Sequence, residues 1–242
     1  MSGLARVFVD AGRLGYGLQA LLSSACLPEG CEEAGGFSHL WLVCNTGARV
    51  QRRWLAGRDP ESLASAGADP APGSCGPLDD FCRAELGGLL GDRGHRFLYP
   101  RAAEEPQASL VAILGAAGLH RPSPLMQALH RRFGSWWAVR ALIAVDAGAG
   151  AMIPDTVAEP LGADPCPGCA RPCTRACPAG AVGPGGWDWR RCTTYRLEAG
   201  SACTRDCPAR VACPVGAAFR YPVEVRAYHY GVSRRFLEGW RD

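Results

Sequence analysis

Apolar and polar residues follow one another along residues 1–150 in a pattern that predicts a series of strands and helices. Continuous apolar runs closed by turn residues predict buried strands, and apolar residues three and four positions apart predict helices. The predicted strands are His39–Cys44, His95–Tyr99 and Trp137–Val145. The predicted helices are Tyr16–Leu22, Ala48–Leu55, a helix that is capped by Asp79 or Asp80 and continues through Leu90, and Ala108–Ala117 before Gly118.

The breaks between these elements predict how the chain divides. Residues 56–77 contain four Pro and four Gly and are expected to form a loop. Residues 154–165 have the composition of a linker, and the sequence after them contains too few apolar residues for a core of its own. We therefore expect an α+β sandwich over residues 1–160 and a small domain over residues 161–242 that bound metal holds together.

The small domain is rich in cysteine. Eight cysteines lie within the 48 residues from 166 to 213, namely Cys166, Cys169, Cys173, Cys177, Cys192, Cys203, Cys207 and Cys213. Two iron–sulfur clusters with four thiolates each need this number, and a run that closes on Cys-Pro is typical of ferredoxins. Such runs close here at Cys177-Pro178 and Cys213-Pro214. The sequence therefore predicts two four-iron clusters and a role in electron transfer.

The ferredoxin arrangement also predicts which cysteines share a cluster, because the cysteine before Pro serves the other cluster of the pair. One cluster would take Cys166, Cys169, Cys173 and Cys213, and the other would take Cys177, Cys192, Cys203 and Cys207. The spacing is looser than the usual pattern, so a three-iron or otherwise incomplete cluster is an alternative for one site. A structural zinc site is another alternative, because C-x2-C pairs are also its signature.

Composition and charge argue against several other classes. All 26 basic residues are Arg, and the formal net charge of +3 is too small to indicate nucleic-acid binding. Residues 166–242 hold 12 Arg against 6 Asp and Glu, an excess that would balance the charge of about −4 on two oxidised clusters with their thiolates. No apolar run is long enough to predict a membrane span, and the first residues show no export signal. We therefore expect a cytoplasmic protein.

Five further cysteines lie upstream without the spacing of metal ligands. They are Cys26, Cys31, Cys44, Cys75 and Cys82. Unpaired cysteine is among the most buried residue types and packs as a small apolar side chain. We expect these five to be buried small hydrophobes.

Two segments between residues 117 and 140 resemble a superfamily of cobalamin-dependent proteins. The segments are Ala117-Gly-Leu-His-Arg-Pro-Ser-Pro-Leu125 and Arg132-Phe-Gly-Ser-Trp-Trp-Ala-Val-Arg140. They are similar to stretches of the group that contains epoxyqueuosine reductase, the reductive dehalogenases and the cobalamin-processing decyanase. The tail, with Arg191-Cys-Thr-Thr-Tyr195, resembles the cluster region of the reductases, so the resemblance covers about residues 37–232.

The resemblance implies a nitroreductase-like α/β sandwich that binds cobalamin, followed by a ferredoxin-like module with two [4Fe-4S] clusters. The cofactor-binding residues that it implies are Gly118, Leu119, His120, Ser123, Leu125, Phe133, Gly134, Ser135, Trp136 and Arg140. Glu104 and His120 are the candidate catalytic proton donors. The tRNA-binding helical repeats of epoxyqueuosine reductases have no counterpart in this sequence, so a full epoxyqueuosine reductase is not expected.

Each of these residues also has a purely structural interpretation. Gly118 would end a helix, Trp136 would be a core residue, and Glu104 would favour the start of a helix. Arg140 lies in a predicted strand and would pair with a carboxylate, and His120 would be a surface residue. These alternatives stay open at the level of the sequence.

Two classes of function follow. In the first, an external donor such as a flavodoxin, a ferredoxin or a reductase supplies electrons through two clusters, and the protein reduces or processes cobalamin, or uses it to reduce a small substrate. In the second, the chain is a dicluster ferredoxin-like electron carrier without a corrin. A zinc-stabilised binding protein is a third, weaker interpretation. No membrane or nucleic-acid partner is expected.

Overall fold

The protein is described from a computed structural model, which covers residues 3–24, 34, 36–68, 72–101, 109–119, 123–148, 152–153, 164–183 and 185–239. Its elements in chain order are α1 (Gly3–Leu14), β1 (Leu18–Ser23), β2 (His39–Thr46), α2 (Arg49–Leu55), α3 (Pro60–Ala68), α4 (Pro77–Leu90), β3 (His95–Tyr99), α5 (Leu110–Ala116), β4 (Trp137–Val145), α6 (Pro172–Arg175), β5 (Val182–Gly183), β6 (Gly186–Trp187), α7 (Trp189–Leu197), α8 (Pro208–Ala212), a 3-10 turn (Ala217–Phe219) and α9 (Val223–Gly239). The prediction of a mixed α+β chain is confirmed.

The chain forms two compact units. The first unit comprises Met1–Trp54, Pro70–His120 and Trp137–Leu161, and the second comprises Leu55–Asp69, Arg121–Trp136 and Gly162–Asp242. Two segments that precede residue 160 thus belong to the same unit as the cysteine-rich tail. The predicted functional domains, 1–160 and 161–242, stay a prediction.

An antiparallel sheet forms the centre of the first unit, with strand order β1-β2-β4-β3. Leu40 of β2 pairs with Ala144 of β4, and His95 of β3 pairs with Val145. Nearly every residue of β2 and β4 is buried. These two strands therefore face apolar surroundings on both sides, which explains why the sequence shows them as continuous apolar runs. All three predicted strands are confirmed.

The predicted helix Tyr16–Leu22 is wrong, because this segment holds the end of a turn and the strand β1. Gln19 explains the difference. Its side-chain amide donates 2.9 Å hydrogen bonds to the carbonyls of Phe8 and Tyr16 and accepts one from the indole of Trp41. Strand pairing with β2 and these buried bonds override the weak local preference for a helix.

The region expected to be a loop, residues 56–77, contains the helix α3 and is corrected accordingly. Asp59 accepts a 2.8 Å hydrogen bond from the amide of Ser62, and Pro60 occupies the first helical position. An acidic cap followed by Pro is a standard helix start, and the abundance of Pro and Gly around it conceals the signal.

The helix predicted through Leu90 is confirmed, but neither Asp79 nor Asp80 caps it. The helix α4 begins at Pro77 after Gly76, so both aspartates lie in its first turn. Asp80 accepts hydrogen bonds from the hydroxyl of Ser74 and the amide of Cys75 instead. The predicted helix Ala48–Leu55 corresponds to α2, and Ala108–Ala117 corresponds to α5, which is capped by Ser109.

The prediction for the upstream cysteines is confirmed in two cases. Cys44 and Cys82 are completely buried in the first unit, and burial raises the pKa of both thiols, that of Cys82 to about 11. Cys75 is only half-buried. Cys26 and Cys31 lie outside the described residues.

The second unit is built from short elements around a helix pair. The helix α3 packs closely on α9, where a Cβ atom added at Gly231 would lie 2.8 Å from the Cβ of Ala64. The helices α6 and α8 pack together, α7 packs on α9, and β5 pairs with β6 in an antiparallel hairpin. Within the described residues, no helix combines the length and the apolar character that crossing a membrane requires.

Candidate metal centre

The second unit brings the eight predicted ligand cysteines together in two groups of four. The first group consists of Cys166, Cys169, Cys173 and Cys213. The second group consists of Cys177, Cys192, Cys203 and Cys207. These are the same two sets that the ferredoxin arrangement pairs in the sequence. Their role as metal ligands stays a prediction.

The cysteines of each group lie close enough for their thiolates to repel one another. Burial raises the pKa of Cys166, and negative charge on Asp164 and on the three other members of the first group raises it further. Burial also raises the pKa of Cys203, to about 11, together with charge on the three other members of the second group. Four adjacent thiols are costly to ionise by themselves, and bound iron would remove that cost.

Tight turns hold the leading cysteines of the first group. Gly168 has φ +77°, and the amide of Cys169 donates a 3.1 Å hydrogen bond to the carbonyl of Cys166. Arg171, with φ +50°, precedes α6, which carries Cys173 into the interior. The amide of Arg171 donates to Sγ of Cys169 over 3.4 Å. Backbone N–H groups directed at sulfur are typical of iron–sulfur sites.

The second group has two sulfur contacts of the same kind. The amide of Ala181 donates to Sγ of Cys177 over 3.3 Å. The amide of Arg210 donates to Sγ of Cys207 over 3.4 Å, where Cys207 caps α8. Cys192 is presented by α7. Cys177 and Cys207 therefore each have a backbone N–H group directed at their sulfur.

Two side chains add donors to the second group. The indole of Trp187 is hydrogen-bonded to Cys192, and the hydroxyl of Tyr230 is hydrogen-bonded to Cys207. Burial raises the pKa of Tyr230 above its ordinary value, so the phenol keeps the proton that it donates. The guanidinium carbon of Arg196 lies 4.9 Å from the centre of the Tyr230 ring. Burial raises the pKa of Cys192, and the positive charge of Arg196 opposes that rise.

Members of both groups pack against one apolar core in the second unit. Its buried residues are Cys173, Val182 and Ala209, and Leu125, Cys177 and Cys207 pack against them. The two groups are therefore neighbours. Leu125, which the resemblance implies as a corrin contact, lies here.

The donor set of each group fits a four-iron cluster. Within the described residues, no three His, Cys, Asp or Glu side chains lie close enough together to hold one metal ion. A four-iron cube places a separate iron at each thiolate, so its ligands are farther apart than those of a single ion. Soft thiolates with backbone N–H groups on their sulfurs are the ligands that such a cluster takes.

The protein itself engages several of the proposed corrin-contacting residues of the second unit. The hydroxyl of Ser123 donates a 2.8 Å hydrogen bond to the carbonyl of Gln127. The hydroxyl of Ser135 accepts a 3.1 Å hydrogen bond from Nε of Arg210. The ring of Trp136 is completely buried, and the guanidinium carbon of Arg210 lies 4.4 Å from its centre.

Phe133 and Gly134 also have structural partners. The ring of Phe133 lies 4.7 Å from that of His130 and 4.8 Å from that of Phe219. Gly134 has φ +60°, and a Cβ atom added to it would lie 2.0 Å from the carbonyl oxygen of Val215. The glycine is thus required by a close approach of two backbone segments.

The remaining described candidates belong to the first unit. Gly118 follows α5 with φ +66° and is exposed, while Leu119 is buried. Nε of Arg140 donates a 2.7 Å hydrogen bond to Asn45, and its Nη1 lies 3.3 Å from a carboxylate oxygen of Asp79. The interpretation of Arg140 as the partner of a carboxylate is therefore confirmed. Glu104 and His120 lie outside the described residues.

The electrostatics of Asp79 are those of a largely buried carboxylate. Burial raises its pKa, and the positive charge of Arg140 opposes that shift. The hydroxyl of Tyr99 also donates a hydrogen bond to it. The pair of Asp79 and Arg140 is thus part of the interior of the first unit.

Three residues at the cysteine groups were not predicted from the sequence. Tyr230 lies on α9, in a different element from Cys207, and Arg210 contacts Ser135 although 75 positions separate them along the chain. Neither has a sequence signal, because only folding brings the partners together. Trp187 did have a signal, since it is one of two tryptophans just before Cys192 in a stretch otherwise rich in Gly.

Comparison with solved structures finds similar chains. The chain is similar to the structure of epoxyqueuosine reductase from Bacillus subtilis, with 15% sequence identity and a TM-score of 0.45 over 92% of this chain. The chain spans 60% of the length of that structure. No protein-family model and no curated protein matches the chain.

Proposed function

We propose that this protein carries two [4Fe-4S] clusters and passes electrons through them to cobalamin, either to reduce or process it or to use it in reducing a small substrate. The observation that supports the clusters is the pair of four-cysteine groups with backbone N–H groups on their sulfurs. The cobalamin part rests on the resemblance of residues 117–140 to the cobalamin-dependent superfamily.

The chain's own residues would hold and shield the clusters. When bound, each cluster takes up and releases single electrons. Trp187 and Tyr230 donate to sulfurs of the second group, and cysteines of both groups pack against the shared apolar core. In this proposal a cytoplasmic electron-donor protein supplies the electrons, and Glu104 and His120 are the residues that donate protons to a substrate.

A dicluster electron carrier without a corrin is the second candidate, and one observation favours it. Ser135 and Trp136, which the resemblance assigns to the corrin, are engaged by Arg210 within the second unit. Their polar and apolar surfaces are therefore already used by the protein. An electron carrier needs both cysteine groups but no residues that contact a corrin.

Reconstitution separates the two candidates. The protein, purified anaerobically, is loaded with iron and sulfide and titrated with cob(II)alamin while absorbance and paramagnetic resonance are followed. About eight irons per chain with a changed cobalt signal supports the reductase proposal. About eight irons with an unchanged cobalt signal leaves the carrier. Stoichiometric zinc and no visible absorbance in the anaerobically purified protein contradicts both.

A further inference from the structure

Two tryptophans and two arginines form an exposed surface next to the second cysteine group. Trp187 at the end of β6 is 41% exposed, and Trp189 at the start of α7 is 49% exposed. Arg190 and Arg191 follow them and are also exposed. We name these four residues the Trp–Arg surface. Exposed tryptophan is uncommon on a protein surface and, together with Arg, is enriched where partners bind.

The Trp–Arg surface is positively charged. Residues 187–191 contain two Arg and one Asp, which gives a formal charge of +1. Asp188 caps α7, because its carboxylate accepts a 3.0 Å hydrogen bond from the amide of Arg191 at the start of that helix. The guanidinium carbon of Arg190 lies 5.2 Å from the centre of the Trp189 ring. This distance is that of a cation–π contact.

One residue of the Trp–Arg surface contacts a predicted cluster ligand. The indole of Trp187 is hydrogen-bonded to Cys192, and Cys192 directly follows Arg191 on α7. A cluster held by the second group would therefore lie immediately behind Trp187. Because electron transfer slows steeply with distance, a partner bound at this surface would be close to that cluster.

We propose that an acidic electron-transfer protein, of the flavodoxin or ferredoxin class, docks on the Trp–Arg surface and delivers electrons to the second cluster. This inference rests on the proposed function. One electron leaves the reduced flavin or iron–sulfur group of the donor, and the second cluster gains it, with no bond made or broken. Electron-transfer proteins form small, short-lived encounters with their partners, and the positive charge of this surface would select an acidic partner.

The test compares a protein donor with a small uncharged reductant. Stopped-flow absorbance measures reduction of the iron-loaded protein by reduced flavodoxin and, separately, by photoreduced deazariboflavin. The double variant Arg190→Glu/Arg191→Glu should lower the rate constant with flavodoxin by about 10-fold or more and weaken its dependence on salt. Its rate with deazariboflavin and its iron content should match those of the unaltered protein. Arg235→Glu reverses the charge of one exposed arginine on α9, is the control for a charge reversal elsewhere, and should change the flavodoxin rate less than about 2-fold.

The outcomes separate this inference from the proposed function. If the unaltered protein takes up no iron, the proposed function fails before the docking surface is tested. An iron-loaded double variant that reacts with flavodoxin at the unaltered rate overturns the docking surface alone. A double variant that keeps that rate but loses binding to a fluorescent RNA oligonucleotide shows that the surface serves nucleic acid, which also overturns the inference.

Discussion

The backbones of Gly134 and Gly216 are in direct contact in the second unit. A Cβ atom added to Gly216 would lie 2.4 Å from the amide nitrogen of Gly134, and one added to Gly134 would lie 3.3 Å from Cα of Gly216. Both residues have positive φ, +60° at Gly134 and +69° at Gly216. Gly216 lies three residues after Cys213, so this contact fixes the loop that carries the last cysteine of the first group.

Replacing Gly216 by Ala should strongly destabilise the second unit, because the new methyl group would meet backbone atoms, which cannot rotate away. We expect a loss of about 3 kcal/mol or more, measured from urea unfolding of the iron-loaded protein. Gly200→Ala is the control, since Gly200 has φ +73° but nothing within 4 Å of its Cβ position. It should cost only about 1 kcal/mol, the strain of the left-handed backbone alone. Equal losses in the two variants would show that the backbone contact contributes nothing.

Replacing Cys177 by Ser should remove the paramagnetic signal of one cluster and leave the other. The reason is that Cys177 interacts with Cys192 and Cys203 of the second group. Cys166→Ser is the counterpart in the first group and should remove the other signal. Iron content measured beside the spectra should fall by about four per chain in each variant. Loss of the same signal in both variants would contradict the assignment of the groups.

The side-chain donors of the second group should set the reduction potential of one cluster. Trp187→Phe and Tyr230→Phe each remove a hydrogen bond to a cysteine sulfur. Such a bond stabilises the reduced cluster, which is more negative than the oxidised one, so its loss should lower the reduction potential. A hydrogen bond worth about 1 kcal/mol corresponds to a potential lower by about 40 mV. Redox titration followed by paramagnetic resonance measures both clusters in the same sample.

Trp189→Phe provides the control for this experiment. Trp189 contacts Arg190 at the surface and should leave both potentials unchanged. If Trp187→Phe shifts the two potentials equally, or shifts neither, the hydrogen bond to Cys192 does not tune its cluster.

Arg140 gives a prediction that distinguishes a structural role from cofactor binding. Arg140→Leu would leave Asp79 buried without its charge partner and should destabilise the protein by about 3–5 kcal/mol. The double variant Arg140→Leu/Asp79→Leu should recover much of this loss, because no charge is then left unpaired. Urea unfolding of the unaltered protein, both single variants and the double variant gives the coupling energy. Unchanged stability of Arg140→Leu together with weaker binding of cobalamin would instead support the corrin contact.

Asp79 also predicts a dependence of stability on pH. Its folded-state pKa is raised by burial, so the folded protein binds this proton more tightly than the unfolded chain. The unfavourable contribution of the ionised carboxylate is present at neutral pH and decreases as the pH falls through the raised pKa. Relative to Asp79→Asn, the unaltered protein should therefore gain stability between about pH 7 and pH 4, as measured by urea unfolding. A constant difference over this range would contradict the shift.

Local patterns in the sequence were sufficient for several elements. The strands β2 and β4 were predictable because both are buried on both faces, which leaves continuous apolar runs such as Trp137–Val145. The helix α4 was predictable from apolar residues that recur on one face. By contrast, β1 could not be predicted, because Gln19 reads as a polar interruption until its partners Phe8 and Trp41 are brought beside it.

Some features of the candidate site could likewise be predicted from the sequence, and others could not. The number and order of the eight cysteines, with Pro after Cys177 and Cys213, are enough to indicate two groups of four. The two Cys-Pro pairs are local signals, and in ferredoxin-type runs the cysteine before Pro joins the other group. The corrin-contacting residues were a different case, since whether Ser135 is free for a ligand depends on Arg210, a residue distant in sequence.

The order of the cysteines and the two Cys-Pro pairs can be recognised from the sequence, and they were enough to predict which cysteines group together. The surroundings of these cysteines depend on packing. The tertiary structure placed Tyr230 at Cys207, brought Gly216 against Gly134, and left Trp187 at once exposed and bonded to Cys192. Contacts between residues remote along the chain depend on how the elements pack, and no local pattern records that packing.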